Sequence, residues 1–129
     1  MITNAIDQVK EFAEAFNIKY SKDMNPNLDQ STIDLRFRLM EEENLEYLEA
    51  AKNNDIVEIA DALGDILYIL CGTILAHGLQ HKIVEVFNEI QRSNMSKLDI
   101  NGKPIFREDG KILKGPNYFK PNIKDILDK

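Results

Sequence analysis

Nine carboxylates share residues 41–65 with a single lysine, and their spacing separates them into two runs. The first is EEENLE, Glu41 to Glu46, and the second places Glu58, Asp61 and Asp65 at i, i+3 and i+7. On a helix turning about 100° per residue, with Leu35 as origin, Leu39, Ala50, Tyr47 and Met40 form an apolar stripe. Glu46 and Glu43 fall inside that stripe, at about 20° and 80°. Glu42 lies at its edge, and Glu41 and Glu49 lie outside. Two carboxylates therefore point where core residues belong. In the second run the three acids share an arc of about 60°, nearly opposite an apolar stripe of Ile56, Ile59, Leu63, Ile66, Leu67 and Leu70. The acidic line continues through Ile69, Gly72 and Ala76, whose small or apolar side chains imply a cover there, from another helix or another subunit. Asp65 is then expected at the mouth of a covered groove.

Carboxylates gathered on inward faces repel one another, and burying one unpaired costs several kcal/mol unless it is neutralised. No lysine or arginine occurs from residue 53 to 81. Three arrangements meet the requirement: a bound metal, a solvated acidic face, or ion pairs with bases elsewhere in the chain. Clustered carboxylates without cysteine or an obligatory histidine suit a hard divalent ion, Mg²⁺ ahead of Zn²⁺.

The elements that must hold these groups are helical. No proline interrupts residues 27–103, whereas three of four prolines and three of six glycines lie in 102–129. Apolar spacing predicts helices over about 2–17, from Ser31 or Thr32 to about Lys52, from a cap at Asp55 to about Ala76, and from about Leu79 to Asn94. The segment PIFREDGKIL suggests a small hairpin at about 104–113. The expected fold is all-α, a four-helix-type bundle, with one domain over 1–129: a helical body (about 2–95) and an irregular C-terminal arm (about 96–129).

The chain has 129 residues, 43% apolar and 29% charged, a globular composition. Its net charge of −6 resolves into the acidic cluster and a mildly basic C-terminal half. A nucleic-acid polymer is thus disfavoured as partner, because phosphate backbones need a positive footprint. The uninterrupted apolar stretch Ile66–Ala76 falls short of the roughly 20 residues of a membrane span. Acids at Asp7, Glu11 and Glu14 argue against a signal peptide, and one cysteine, Cys71, excludes an intrachain disulfide, so a cytoplasmic setting is expected. His77 and His81 have ligand spacing, but Gly78 between them reads as a helix stop.

RFRLMEEENLE (Arg36–Glu46) followed by EIADALGDILY (Glu58–Tyr68) resembles the all-α nucleoside triphosphate pyrophosphatases of the MazG type, which phosphoribosyl-ATP pyrophosphatase also resembles in fold and chemistry. Their EExxE motif corresponds to Glu42, Glu43 and Glu46. Their second acidic motif, aligned on Asp65 of GDILY, would put a glutamate at Ala62; Asp61 stands beside it as substitute, and Glu58 is left in reserve. SNMSKL (Ser93–Leu98), DGK (Asp109–Lys111) and KGPNYF (Lys114–Phe119) look like the tail of a bacterial and phage subgroup, so the likeness spans about residues 30–121.

The resemblance implies a Mg²⁺-dependent enzyme, with Mn²⁺ able to substitute, that cleaves a nucleoside or deoxynucleoside triphosphate into monophosphate and pyrophosphate. It implies Glu43, Glu46, Asp61 and Asp65 as metal ligands, with Glu42 a further ligand or the group that orients and deprotonates water. Arg36, Asn94, Lys97, Lys114 and Tyr118 are then substrate contacts, Arg36 either reaching a phosphate or pairing with the acids. House-cleaning of nucleotide pools is the implied role. The competing readings are phosphoribosyl-ATP hydrolysis, against which the NMSKL and KGPNY segments speak, and a non-enzymatic helical module for oligomerisation or partner binding. Apolar residues on both faces of the third helix predict a homodimer or homotetramer.

Overall fold

A computed structural model describes residues 1–129. Five helices appear in chain order: α1 (Ile2–Ala15), α2 (Gln30–Lys52), α3 (Ile56–Ala76), α4 (Ile83–Met95) and α5 (Ile123–Asp128). No strand forms, so the all-α expectation holds. The residues gather into two compact units, Met1–His81 and Lys82–Lys129. The boundary groups α4 with the residues that follow it.

In the first unit α2 and α3 form an antiparallel pair, and α1 lies on α3. The pair is joined by Asn53-Asn54-Asp55. Asn54 takes a left-handed conformation (φ 54°), and the Asp55 amide reaches the Ala50 carbonyl at 3.1 Å. Asp55 then caps α3 by accepting from the Glu58 amide, as its position predicted. The start of α2 differs from expectation. Asp29, not Ser31 or Thr32, is the N-cap residue, and it makes no side-chain cap bond.

The end of α3 shows why it stops at Ala76. Gly78 has φ +69°, and its amide returns to Leu75 O. A Cβ there would overlap the Asp23 carbonyl. The α1–α2 link runs past this terminus and satisfies its free carbonyls: Ser21 N donates to Leu75 O, Ser21 Oγ to Ala76 O, and Asn25 N to His77 O. His77 Nδ1 lies 2.9 Å from Asn25 O, so its ring is engaged in this cap and shares no helical face with His81.

The core of the first unit consists of Ile6, Val9 and Ala13 of α1, Ala50 of α2, and Ala62, Cys71, Ile74, Leu75 and Ala76 of α3. The apolar stripe of α3 is not its buried face: Ile56 is 73% exposed, Leu63 50% and Leu67 44%. Two apolar arcs run along this helix, and α1 and α2 cover the one that continues the acidic line. At 21 residues α3 has the length and hydropathy of a membrane span, longer than the apolar run had indicated. Glu58, Asp61 and Asp65 nevertheless occupy its first half, and its last turns are buried among α1 and α2.

The second unit forms around α4, which begins at Ile83, four residues later than expected. Ser93, buried, donates to Phe119 O at 2.8 Å, Phe119 N donates to Ser96 Oγ, and Gly115 N to Lys97 O. These bonds draw SNMSKL and KGPNYF together. The hairpin reduces to one antiparallel bridge, Phe106–Ile112, closed by a turn with Gly110 at φ +87°. Helix α5 was not expected; Asn122 caps it through Asp125 N.

Buried Glu89 ties α4 to α5. Its carboxylate accepts from Arg92 Nε at 2.9 Å and from the Asn122 amide at 2.7 Å. The Arg92 bond first, then Asn122, holds its pKa below the usual carboxylate value. Such a carboxylate stabilises the fold above its ordinary pKa, and that support is lost as pH falls through the depressed value. We therefore expect Glu89→Gln to lower the melting temperature at pH 7 by roughly 5 °C, with the difference shrinking below about pH 4. Thermal melts followed by circular dichroism across that range check it.

Candidate functional site

Three carboxylates converge between α2 and α3. Glu43, Glu46 and Asp65 each offer an oxygen within 4.8 Å of the others. The geometry follows from the antiparallel pairing: one turn separates Glu43 from Glu46 on α2, and the pairing brings Asp65 level with them. Glu43 lies within the stripe that its helical angle assigned to it, and Asp65 is half-buried as expected at the mouth of the groove. Glu46, inside the stripe by angle, is exposed instead.

Glu43 carries the strongest electrostatic signal. Its Oε2 is buried and has no hydrogen-bond partner. Burial, then hydrogen bonding with Glu46, then the charges of Glu46, Asp65 and Asp61 push its pKa up to about 7. The chain supplies no cation here. Its three ion pairs are Arg92–Glu89, Arg107–Asp109 and Lys124–Asp128, all in the second unit. Ion pairing across helices therefore does not neutralise the acids of α2 and α3.

The other acids are peripheral to this trio. Asp61 is exposed but near enough to raise the Glu43 pKa. Glu42 is exposed on α2. Glu58 is exposed and borders a hollow of about 210 Å³ with Glu46, Glu49 and Asn53. Three converging carboxylates, one with an orphaned buried oxygen and none accompanied by thiol or imidazole, fit a hard divalent cation.

Arg36 departs from the alternative that paired it with the acids. Its Nε donates to Thr73 Oγ1 at 3.0 Å and its Nη2 to the Ile69 carbonyl at 2.8 Å. Burial lowers its pKa. The remaining predicted contacts belong to the second unit. Asn94 is exposed on the last turn of α4, and Lys97 is half-buried just beyond it. Lys114 Nζ stands 4.8 Å from the centre of the half-buried Tyr118 ring.

The line of Ile69, Gly72 and Ala76, expected to be covered, borders a cavity of about 470 Å³ between α1, α2 and α3, walled mainly by apolar side chains and bordered also by Arg36 and Tyr68. Sequence reasoning left the cover open between another helix and another subunit; Val9, Phe12 and Ala13 of α1 provide it.

Residues 9–94 match the family described as phosphoribosyl-ATP pyrophosphohydrolase. This span contains the whole carboxylate cluster and Arg36, and it ends before Lys97. The chain is also 40% identical over 106 residues to a protein of Acanthamoeba polyphaga mimivirus named "Uncharacterized protein L479". That alignment takes in 81% of this chain and 36% of the viral protein, so the chain spans about a third of the length of this relative. With the family match covering two-thirds of its residues, and with EExxE and Asp65 meeting in one cluster, the chain belongs to the phosphoribosyl-ATP pyrophosphohydrolase family of all-α, MazG-like pyrophosphohydrolases.

Proposed function

We propose that this protein is a Mg²⁺-dependent nucleoside triphosphate pyrophosphohydrolase acting on the α–β phosphoanhydride bond. The observation that carries the reading is the buried, unpartnered oxygen of Glu43 among carboxylates that no protein cation neutralises. Glu43, Glu46 and Asp65, with Asp61 beside them, would hold the cation, and Glu58 stays in reserve. Mg²⁺, or Mn²⁺ in its place, would supply charge to the phosphoryl oxygens and acidify a water molecule. Glu42, exposed on the same helix, is the side chain proposed to orient that water and take its proton. Water adds to phosphorus, the bond to the bridging oxygen breaks, and nucleoside monophosphate and pyrophosphate leave. Lys97 and Lys114 are proposed to bind phosphate oxygens, and Asn94 and Tyr118 the base or sugar.

Phosphoribosyl-ATP is the second substrate reading, favoured by the description of the matched family. A pyrophosphate-release screen over canonical, deoxy and modified triphosphates and phosphoribosyl-ATP, with and without Mg²⁺, separates the two. Release from ordinary triphosphates supports the first reading, and release from phosphoribosyl-ATP alone supports the second. Failure on every substrate leaves the family's activity unsupported in this chain.

We further propose that the protein is a cytoplasmic homodimer or homotetramer. The support for association is the exposed apolar face of α3 with Phe37, Leu45 and Leu48 of α2. Sedimentation at micromolar concentration should show a species of at least twice 14.8 kDa, and a stable monomer would overturn this. Cys71, buried and unpaired, suits a reducing compartment.

A further inference from the structure

The cavity beside Arg36 has walls of side-chain carbon from Val9, Phe12, Leu35, Leu39, Ile69 and Leu75. Its volume of about 470 Å³ is in the range of small-molecule sites, roughly 300–1,000 Å³. Aromatic edges stand at one side: Phe12 meets Tyr68 edge to face, with centroids 5.6 Å apart. Two cations border this apolar space, the exposed Lys19 and Arg36, and of the two only the Arg36 side chain is held by hydrogen bonds. Thr73 and the Ile69 carbonyl take two of the five guanidinium N–H groups of Arg36, and no carboxylate pairs with it.

Gly72 is what lets the guanidinium lie there. A Cβ at this position would overlap Arg36 Nη2 and stand 3.2 Å from Cζ. Glycine in a helix interior costs about as much as any residue but proline, so this place on α3 trades helix propensity for the seat of the arginine. The guanidinium is thus fixed by α3 and has N–H groups to spare.

Position along the groove identifies the occupant. Arg36 precedes Glu43 by seven residues, about 10 Å along α2, and Ile69 follows Asp65 by one turn of α3. That separation matches the reach of a nucleoside monophosphate lying along the groove. A phosphate in the cavity would meet mostly hydrocarbon. A planar base would meet aromatic and aliphatic walls, the side chains of Thr32 and Tyr68, and the guanidinium held by Thr73 and the Ile69 carbonyl.

Resting on the pyrophosphohydrolase reading, we propose that the cavity is the nucleobase pocket and that Arg36, seated by Gly72 and Thr73, selects bases presenting a carbonyl oxygen over those presenting an amino group at the same place. A guanidinium donates only, so a ring carbonyl accepts from it, whereas an exocyclic amino group opposes it donor to donor. Leaving a buried donor unmatched is the kind of mismatch that gives large discrimination.

Two matched pairs test this, because each differs at the relevant edge in oxo against amino: inosine against adenosine triphosphate, and uridine against cytidine triphosphate. In pyrophosphate release with Mg²⁺, the wild type should prefer the oxo member of at least one pair by tenfold or more in kcat/KM. Arg36→Met should cut that preference to within twofold, mainly by loss on the oxo substrate. Gly72→Ala should do the same by displacing the guanidinium while keeping its charge. Alanine improves helix propensity, so a Gly72→Ala protein that melts no lower than wild type removes misfolding as the explanation.

Equal rates within both pairs for the wild type, or equal losses on both members in the variants, would overturn the proposal. Calorimetric binding of the four corresponding monophosphates without metal keeps the two readings distinguishable. An Arg36-dependent preference for inosine or uridine monophosphate without any hydrolysis upholds the pocket and rejects the reaction. Hydrolysis without base preference does the reverse.

Discussion

Glu43→Gln should reduce Mg²⁺-dependent pyrophosphate release by at least about 10²-fold, since losing one group that serves developing charge costs roughly 10²–10³. The same substitution should stabilise the metal-free protein. Glu43 has a folded pKa of about 7 against an ordinary 4.5, raised first by burial and then by Glu46. A carboxyl raised in this way binds its proton more tightly in the folded state. Its contribution is fully present below the unfolded pKa and is lost as pH rises through the folded one. The melting temperature of the metal-free wild type should therefore fall by a few degrees between about pH 5 and pH 7.5. Glu43→Gln, neutral throughout, should lack that segment of the profile. Together the two readouts distinguish a functional carboxylate from a structural one, because activity and stability move in opposite directions. A variant that lost activity and also melted lower would point to a damaged fold instead.

The second large effect lies in the packing. Leu75 is 1% exposed, the largest fully buried side chain in the protein, and its carbonyl receives both Ser21 N and Gly78 N at the end of α3. Leu75→Ala should cost about 2–5 kcal/mol, the usual range for such a truncation. With a urea dependence of roughly 1–3 kcal/mol per molar, the unfolding midpoint should drop by about 1–2 M. Leu75→Met, which conserves volume, should cost less than about 1.5 kcal/mol. Urea titration of the three proteins, followed by far-ultraviolet circular dichroism, checks the order. The carboxylate cluster lies more than two helical turns from Leu75, so Mg²⁺ binding in Leu75→Ala should track the folded fraction, whereas substrate affinity should also fall because Leu75 walls the cavity beside Arg36.

Helical angle placed Glu43 at the α2–α3 seam, where it is half-buried, but it put Glu46 inside the same stripe and Glu46 is exposed. The same reasoning followed Asp65 through Ile69, Gly72 and Ala76 to a covered line, which Arg36 and α1 now account for. On the opposite side of α3 Ile56, Leu63 and Leu67 stay exposed, the second apolar face from which an oligomer is expected. Periodicity finds apolar arcs but does not rank them, and the ranking depends on which faces α1 and α2 present. Local chemistry succeeded at Asp55, whose capping bond involves residues three apart. It failed at the start of α2, where the helix begins without a side-chain cap, and at α5, six residues held by Asn122 and by contact with α4. The Arg36 seat was hidden for the same reason. Arg36 and Gly72 are 36 positions apart, and only the register of two antiparallel helices brings them together.

The central claim is that Glu43, Glu46 and Asp65 form a cation site that exchanges a proton for a metal ion. Titration calorimetry with Mg²⁺ at pH 7, repeated in two buffers of different ionisation enthalpy, tests it directly. A Glu43 pKa near 7 leaves a substantial protonated fraction at that pH, and metal binding must displace it. The expected result is binding with proton release, the release lost in Glu43→Gln and the binding lost in Glu46→Ala and Asp65→Ala. Absence of Mg²⁺ binding, or binding that these substitutions leave unchanged, would contradict the account.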